Sequence, residues 1–175
     1  MQGEHEDRKE FIARKGIIFS ENQYGSNERM DKLVNSPEEK IREDVANQKY
    51  GLDKLINDKD YEVRIAVAKQ GYDLAKLVND KDWDVRKAVA KQGYGLDKLI
   101  RDKNSVIRKT VAEQGYGLDI LINDEWYEVR AAVAYQGYGL DILYQDENEN
   151  VRKAVKGYLE KNYLTIAKWL LSQNT

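Results

Sequence analysis

The chain has 175 residues, of which 34% are charged, and its formal net charge is only −2 at pH 7. It contains no cysteine, so disulfides, thiol catalysis and cysteine-bound metals are excluded. The balanced charge indicates a well-hydrated surface and by itself points to neither a nucleic acid nor a membrane as partner.

The N-terminal residues, MQGEHEDRKE, are polar and charged, which does not fit a secretory signal peptide. No apolar run approaches the roughly 18 residues that a membrane-spanning helix needs. We therefore expect a cytoplasmic protein with no membrane partner. The single proline, Pro37, leaves the chain free to be helical throughout.

Residues 1–27 are predicted to close the N-terminal end of the fold. The string FIARKG at 11–16 echoes AVAKQG at 66–71, which predicts a capping helix near residues 5–15. Residues 17–27 are then predicted to form an irregular insertion. Terminal units of repeat proteins are commonly atypical in this way, because they must cover an open core.

Six consecutive copies of one motif of 22 residues follow, in register and without a gap. The copies occupy residues 28–49, 50–71, 72–93, 94–115, 116–137 and 138–159. A repeat of this length indicates a protein in which each copy buries its apolar face against its neighbours.

Each copy holds two apolar clusters, which in the second copy lie within 52–56 and 63–67. Both clusters have the i, i+3, i+4 spacing of one helix face, whereas a strand would alternate with period two. The pattern predicts a short helix near 51–57, a turn at 58–60 and a longer helix near 61–70. Helices this short are marginal alone, so stacking must stabilise them.

Local signals mark the ends of the longer helix. Asp60 precedes its apolar cluster and is predicted to cap the helix through its side chain. Gly71 follows its last residue and suits the left-handed conformation at a helix C-terminus.

Several positions keep one residue type from copy to copy. A leucine column and a valine column, represented by Leu55 and Val67, are predicted to form the core, and the small Ala68 column predicts close helix approach. The Arg64 column is invariant, and the Asp58 column nearly so. The arginines could form a ligand-binding row, but we favour an Asp–Arg ladder that ties the turns of neighbouring copies.

Residues 160–175 are predicted to form a separate C-terminal capping helix, near 161–172. Its apolar face would consist of Tyr163, Ile166, Trp169 and Leu170. The Gln-Gly pair that ends the second to fifth copies is absent at the end of the sixth copy, immediately before this segment.

The core string L-D-x-L-x-x-D-x-x-x-x-V-R-x-A-V-A resembles the leucine-rich repeat variant family and, more broadly, short HEAT-like helical repeats. In the second copy the match is carried by Leu52, Leu55, Asp58, Val63, Arg64, Ala66 and Val67. The resemblance covers residues 28–159. It implies an all-α fold, a right-handed α-solenoid of six helix-pair repeats with capping helices at both ends.

The resemblance implies little about function, since such repeats are general binding scaffolds. The iron–sulfur cluster associated with that family cannot carry over, because this chain has no cysteine. We expect no cofactor.

Function is expected where the copies differ and side chains face outward. On the longer helices, the positions i, i+4 and i+8 form one such row. HEAT-like proteins usually line their concave surface with the second helix of each pair, so the resemblance implies a groove of aromatic and lysine side chains. We call its predicted partner-binding residues the candidate surface: Tyr61, Trp83, Lys87, Lys91, Lys109, Trp126, Tyr127 and Tyr135. The alternative is that the aromatics only cover the edge of the neighbouring turn.

The most favoured function is a monomeric, non-enzymatic scaffold, adaptor or inhibitor whose partner is a protein. The alternative is a HEAT-like nucleic-acid-binding protein that clasps DNA as some glycosylase-like members do. This nucleic-acid alternative is disfavoured because acidic residues interrupt the lysines and because the sequence pI is only about 5.6. Catalysis is not expected: the one histidine, His5, has no neighbours suited to a triad or a metal site, and no phosphate-binding glycine motif occurs.

Overall fold

A computed structural model describes the backbone of residues 23–172 and the side chains of residues 28–163, and all regular structure in this part of the chain is helical. Its helices are α1 (Gln23–Leu33), α2 (Glu39–Asn47), α3 (Leu52–Leu55), α4 (Tyr61–Lys69), α5 (Leu74–Leu77), α6 (Trp83–Lys91), α7 (Leu96–Leu99), α8 (Ser105–Glu113), α9 (Leu118–Leu121), α10 (Tyr127–Tyr135), α11 (Leu140–Leu143) and α12 (Glu149–Ser172). None of them combines the length and apolar character needed to cross a bilayer. The capping helix predicted near 5–15 lies outside the described residues.

Helices of nine and four residues alternate from α2 to α11. The long helix predicted near 61–70 is confirmed as Tyr61–Lys69. The short helix predicted near 51–57 is shorter, Leu52–Leu55, because Gly51 precedes it in a left-handed conformation with φ 59°. The long helices α4, α6, α8, α10 and α12 begin at intervals of 22 residues.

Successive helices pack against one another along the chain. Each long helix contacts the next long helix, from α2 through to α12. Each short helix contacts the long helix before it and the long helix after it. The long helices therefore make the principal contacts between neighbouring copies, and the short helices bridge them.

The predicted core columns are buried. Leu55, Val67 and their equivalents in the later copies are at most 2% exposed. Leu33, the first member of the leucine column, is only half-buried at the end of α1. The alanine column is fully buried where long helices meet, at Ala46, Ala68, Ala90, Ala112 and Ala134. This confirms that a small side chain allows the close approach.

The first described helix corrects the predicted boundary of the N-terminal insertion. Residues 23–27 were assigned to an irregular segment, but α1 begins at Gln23. The helix extends to Leu33 and contacts α2, and buried Met30 and Val34 lie one turn apart at its end. The spacing i, i+4 places both side chains on one face, so packing of this face holds the helix.

The separate C-terminal capping helix is also wrong as predicted. Residues 160–172 continue the helix of the sixth copy without a break, as α12. Leu159 stands where Gly71 and its equivalents adopt positive φ, and Gly157 does not do so either. Without a left-handed residue nothing ends the helix there. The side chains of Ile166, Trp169 and Leu170 lie outside the described residues.

The cap predictions are half confirmed. Gly71 has φ 73°, as expected for the residue after a helix. Asp60, however, makes no side-chain hydrogen bond to α4; its carboxylate accepts one from Arg42 instead. The equivalent Asp82 and Asn104 do cap their helices, each accepting from a backbone N–H at 2.9 Å. Competition with a buried cation thus removes the cap at Asp60.

Lys49 occupies the position of Gly71 in the first copy and has φ 61°. Left-handed backbone costs a residue with a Cβ roughly 1–2 kcal/mol, and glycine avoids this cost. We expect Lys49→Gly to raise the free energy of unfolding in urea by about 0.5–1 kcal/mol, after the greater flexibility of glycine in the unfolded chain is counted. Lys69→Gly, inside α4, should lower it by about the same amount. A destabilised Lys49→Gly variant would contradict the strain argument.

Candidate protein-binding surface

The candidate surface lies on one outward face of the long helices. Tyr61, Trp83 and Tyr127 are the first residues of α4, α6 and α10, and Tyr135 is the last residue of α10. The opposite face of each helix holds the buried valines of the core, such as Val85 on α6. Core packing on one side therefore forces these residues outward.

Exposure differs among the eight residues. Trp83 is 38% exposed, Trp126 49% and Tyr135 62%, and Tyr61 and Lys91 are also exposed. Lys87, Lys109 and Tyr127 are half-buried against their own helices and neighbours. Trp126 precedes α10 at its N-cap, so it lies beside the helical row and not within it.

On α6, Trp83 and Lys87 form one unit. The Lys87 Nζ lies 5.4 Å from the centre of the Trp83 ring, within the range of a cation–π interaction. The pair follows from i, i+4 spacing, which stacks side chains on one helix face. Lys87 thereby limits the freedom of a large exposed ring, which lowers the entropy cost of using that ring in binding.

Lys109, Tyr127 and Tyr135 come together in a pocket of about 200 Å³ between α8 and α10. Ala131 and Ala132 also line it, and their small side chains leave the space. The Lys109 Nζ lies 3.7 Å from Glu113 Oε1, so this lysine is partly neutralised.

Acidic and amide groups of the same pocket are not among the predicted partner-binding residues, although Glu113 and Glu128 belong to the acidic residues that interrupt the lysines in the sequence. Glu113, Glu128 and Gln136 line it together with the predicted residues. Glu128 Oε2 is shielded from solvent and accepts no hydrogen bond from the described residues. The Gln136 side chain donates to the Glu113 carbonyl at 3.2 Å, tying α10 to α8. The sequence indicates this proximity, because Glu113 and Tyr135 occupy equivalent positions at the ends of the neighbouring long helices α8 and α10.

Carboxylates also surround the exposed tyrosines. A hydrogen bond to Glu62 raises the pKa of Tyr61, and Asp84 and Asp82 add to the shift. A hydrogen bond to Glu128 likewise raises the pKa of Tyr127. The candidate surface is therefore mixed in charge, with acidic groups beside its aromatic side chains.

The eight predicted residues do not converge on one cavity. Seven of them lie on the four long helices α4, α6, α8 and α10, Trp126 lies at the N-cap of α10, and Lys109, Tyr127 and Tyr135 line one pocket. Tyr61 and the Trp83–Lys87 unit precede that pocket along the array. The arrangement offers an extended row of anchors, which suits a broad binding surface and not a small-molecule site.

Five of the six arginines in the column are structural, and their pairs with aspartates confirm the predicted Asp–Arg ladder. Arg86 is typical: its Nε and Nη2 bond both carboxylate oxygens of Asp102 in the next copy, at 2.7 and 3.1 Å. Its Nη1 donates to the backbone carbonyls of Asp80 and Lys81. The same fork joins Arg42 to Asp58, Arg64 to Asp80, Arg108 to Asp124 and Arg130 to Asp146.

Burial and hydrogen bonding act in opposite directions on the ladder aspartates. Burial raises the pKa of Asp102, but hydrogen bonds from Arg86 and from the Asn104 backbone outweigh it, so the pKa lies below its usual value. The pKa of Arg86 is raised, chiefly by the hydrogen bond to Asp102. Both residues stay charged, and the buried arginines are unavailable as a ligand-binding row.

The part of the chain that the structure describes contains no group of three histidine, cysteine, aspartate or glutamate side chains arranged to hold a metal. His5 lies outside that part. In comparisons with known proteins, no family model and no curated protein matches this chain.

Proposed function

We propose that this protein is a non-enzymatic binding scaffold that recognises a protein partner through the candidate surface. In this proposal residues 28–159 form a right-handed α-solenoid of six short HEAT-like repeats, and the partner lies along the outward face of the long helices. The stacking of long helices and the recurrence of their first residues every 22 residues support the repeat architecture. In such a fold, each repeat contributes exposed positions to one extended binding surface.

One observation carries the functional proposal: large aromatic side chains stand exposed at or beside the ends of the long helices α4, α6 and α10. Tyr61 and Trp83 begin α4 and α6, and Trp126 and Tyr135 flank α10. Tryptophan and tyrosine are the residues most often responsible for binding energy at protein interfaces. Exposed aromatic side chains on one face of a protein are available to a partner, which supports an intermolecular role.

The charges on this surface favour a protein over a nucleic acid. Lys109 pairs with Glu113, and Lys153, further along the same face, pairs with Glu149 at 2.8 Å. Asp82, Asp84 and Glu128 lie close to the aromatic residues. Phosphate binding needs lysines and arginines that remain free to neutralise the nucleic-acid backbone.

Alanine substitutions on the candidate surface test the proposal. We expect Trp83→Ala and Trp126→Ala to reduce capture of the partner from a lysate of the cells that express this protein by about tenfold or more each, as for a central aromatic anchor. Capture is measured by quantitative mass spectrometry of the retained proteins. Thermal melting by circular dichroism should be nearly unchanged, because both rings are exposed.

Tyr72→Ala and Tyr94→Ala are the matched controls. Both tyrosines are exposed to a similar degree, but they precede the short helices and lie outside the candidate surface. Equal capture by the tryptophan variants and the wild type would reject the surface. Loss of all capture after nuclease treatment, with a mobility shift at low salt, would instead identify a nucleic acid as the partner.

A further inference from the structure

Arg152, the last arginine of the ladder, bonds the backbone of its own turn as the other arginines do, but no aspartate side chain among the described residues accepts from it. Arg152 Nη1 donates to the carbonyls of Asp146 and Glu147, at 2.5 and 2.9 Å, as the other arginines do in their own turns. Its Nε and Nη2 bond no acceptor among the described residues. Every other ladder arginine bonds an aspartate sixteen residues later, whereas the residue sixteen after Arg152 is Lys168.

The short-helix side of this end is uncovered as well. Tyr144 belongs to a column whose other members, Val34, Ile56, Val78, Ile100 and Ile122, are each 7% exposed or less. Four of those side chains, Val34, Val78, Ile100 and Ile122, approach the glycine of the following copy closely enough to clash with an added Cβ. Residues 160–175 do not repeat the motif, and Tyr144 is 65% exposed.

The long-helix side of the same end is closed to further stacking. Lys156 stands in the column of Ala68 and Ala134, where a small side chain lets the next long helix approach. A lysine there would have to be buried against an incoming helix, at a large desolvation cost. The open part is therefore limited to the surroundings of Arg152 and Tyr144.

A cavity of about 590 Å³ occupies this region. Tyr144 and Leu159 provide apolar walls, and Arg152 provides its free donors. The other charges there are paired, Lys153 with Glu149 at 2.8 Å and Lys156 with Glu160 at 3.8 Å. Among the described residues, Arg152 is thus the one cation of the lining that makes no direct ion pair with a carboxylate.

We propose that this C-terminal cavity binds a short turn of a partner protein that carries Leu-x-x-Asp, with the aspartate on Arg152 and the leucine beside Tyr144 and Leu159. The chain supplies its own template, because Leu55 and Asp58, or Leu99 and Asp102, present this pair to the arginine of the preceding copy. A pre-positioned guanidinium fork binds a carboxylate in two parallel hydrogen bonds.

A second copy of this chain fits the cavity poorly. In the first copy Ser36 stands where the later copies have the ladder aspartate, so that end offers no carboxylate at the matching position. Lys156 also opposes stacking of a whole further repeat. The occupant is therefore a short segment of a different protein. The cavity lies further along the array and contains none of the eight residues of the candidate surface, so the two proposals can be tested independently.

A fluorescein-labelled peptide with the sequence of residues 94–104, YGLDKLIRDKN, tests the proposal against the full chain by fluorescence anisotropy at low salt. It contains Leu99 and Asp102 but no long helix. We expect saturable binding that Arg152→Gln weakens at least tenfold. Asp102→Asn in the peptide should weaken it equally, and combining both changes should add little, because each removes the same ion pair.

The controls separate this site from general charge attraction. Arg101→Gln in the full chain removes an exposed arginine away from the cavity and should leave binding of the unchanged peptide the same. Arg152→Lys keeps the charge but loses the fork, so it should bind more weakly than the wild type. Absence of saturable binding, or equal binding by Arg152→Gln, would overturn the site. A further outcome is self-association of the full chain that Arg152→Gln abolishes. That result would contradict the proposal that a different protein occupies the cavity, since a second copy would then fill it.

Discussion

Arg86→Met is expected to lower the free energy of unfolding by about 3–5 kcal/mol, because it leaves a buried carboxylate without its partner. Arg86 and Asp102 are each about nine-tenths buried at their side chains. Removing the guanidinium also frees the carbonyls of Asp80 and Lys81, which accept from its Nη1. Urea unfolding followed by circular dichroism measures the change.

Two comparisons give this prediction its force. Arg101→Met, at an exposed arginine one residue before Asp102, should change the free energy by less than about 0.5 kcal/mol. Adding Asp102→Leu to Arg86→Met should recover much of the loss, since a buried pair can be replaced by apolar side chains more easily than it can be broken. A small effect of Arg86→Met alone would show that the ladder is not what ties the copies together.

Leu99→Ala is expected to cost about 2–5 kcal/mol, the usual range for emptying a buried leucine site. Leu99 is 1% exposed at the end of α7, which contacts both α6 and α8. A cavity there weakens the contact between two copies, and in a stacked array that contact is the source of stability for both. Hydrogen exchange should therefore quicken in α6 and α8 together.

Leu96→Ala is the control on the same four-residue helix, and its side chain is only half-buried. Leu96→Ala should lower the free energy of unfolding clearly less than Leu99→Ala does, because fewer contacts are lost and water can fill the space. Equal effects at the two leucines would contradict the assignment of Leu99 to the core. Faster exchange confined to α7 would contradict the coupling between copies.

These stability effects are separable from binding. The candidate surface and the Arg152 cavity consist of residues that are exposed or half-buried, while the ladder and the leucine column are buried. Substitutions at Trp83, Trp126 or Arg152 should therefore change recognition without unfolding the chain. In a repeat protein, exposed positions can vary while the core columns stay the same.

The sequence alone determined the helical class, the alternation of short and long helices, and the leucine, valine and alanine columns. These are local or periodic properties: spacing of i, i+3, i+4 defines a helix face, and residues such as Gly71 end helices through their own backbone preference. Even the pairing of arginine with aspartate was predictable, because both types recur in nearly every copy.

Only the tertiary structure decided which side chains compete for one hydrogen-bond partner, which share a pocket and which donors have no acceptor among the described residues. Asp60 bonds Arg42 instead of capping α4, and α12 continues through residues 160–172 because no left-handed residue interrupts it. Tyr127, Tyr135 and Glu128 share a pocket that depends on how α8 and α10 approach each other. Arg152 Nε and Nη2 bond no acceptor among the described residues, because Lys168 stands at the position where the register between copies would place the aspartate.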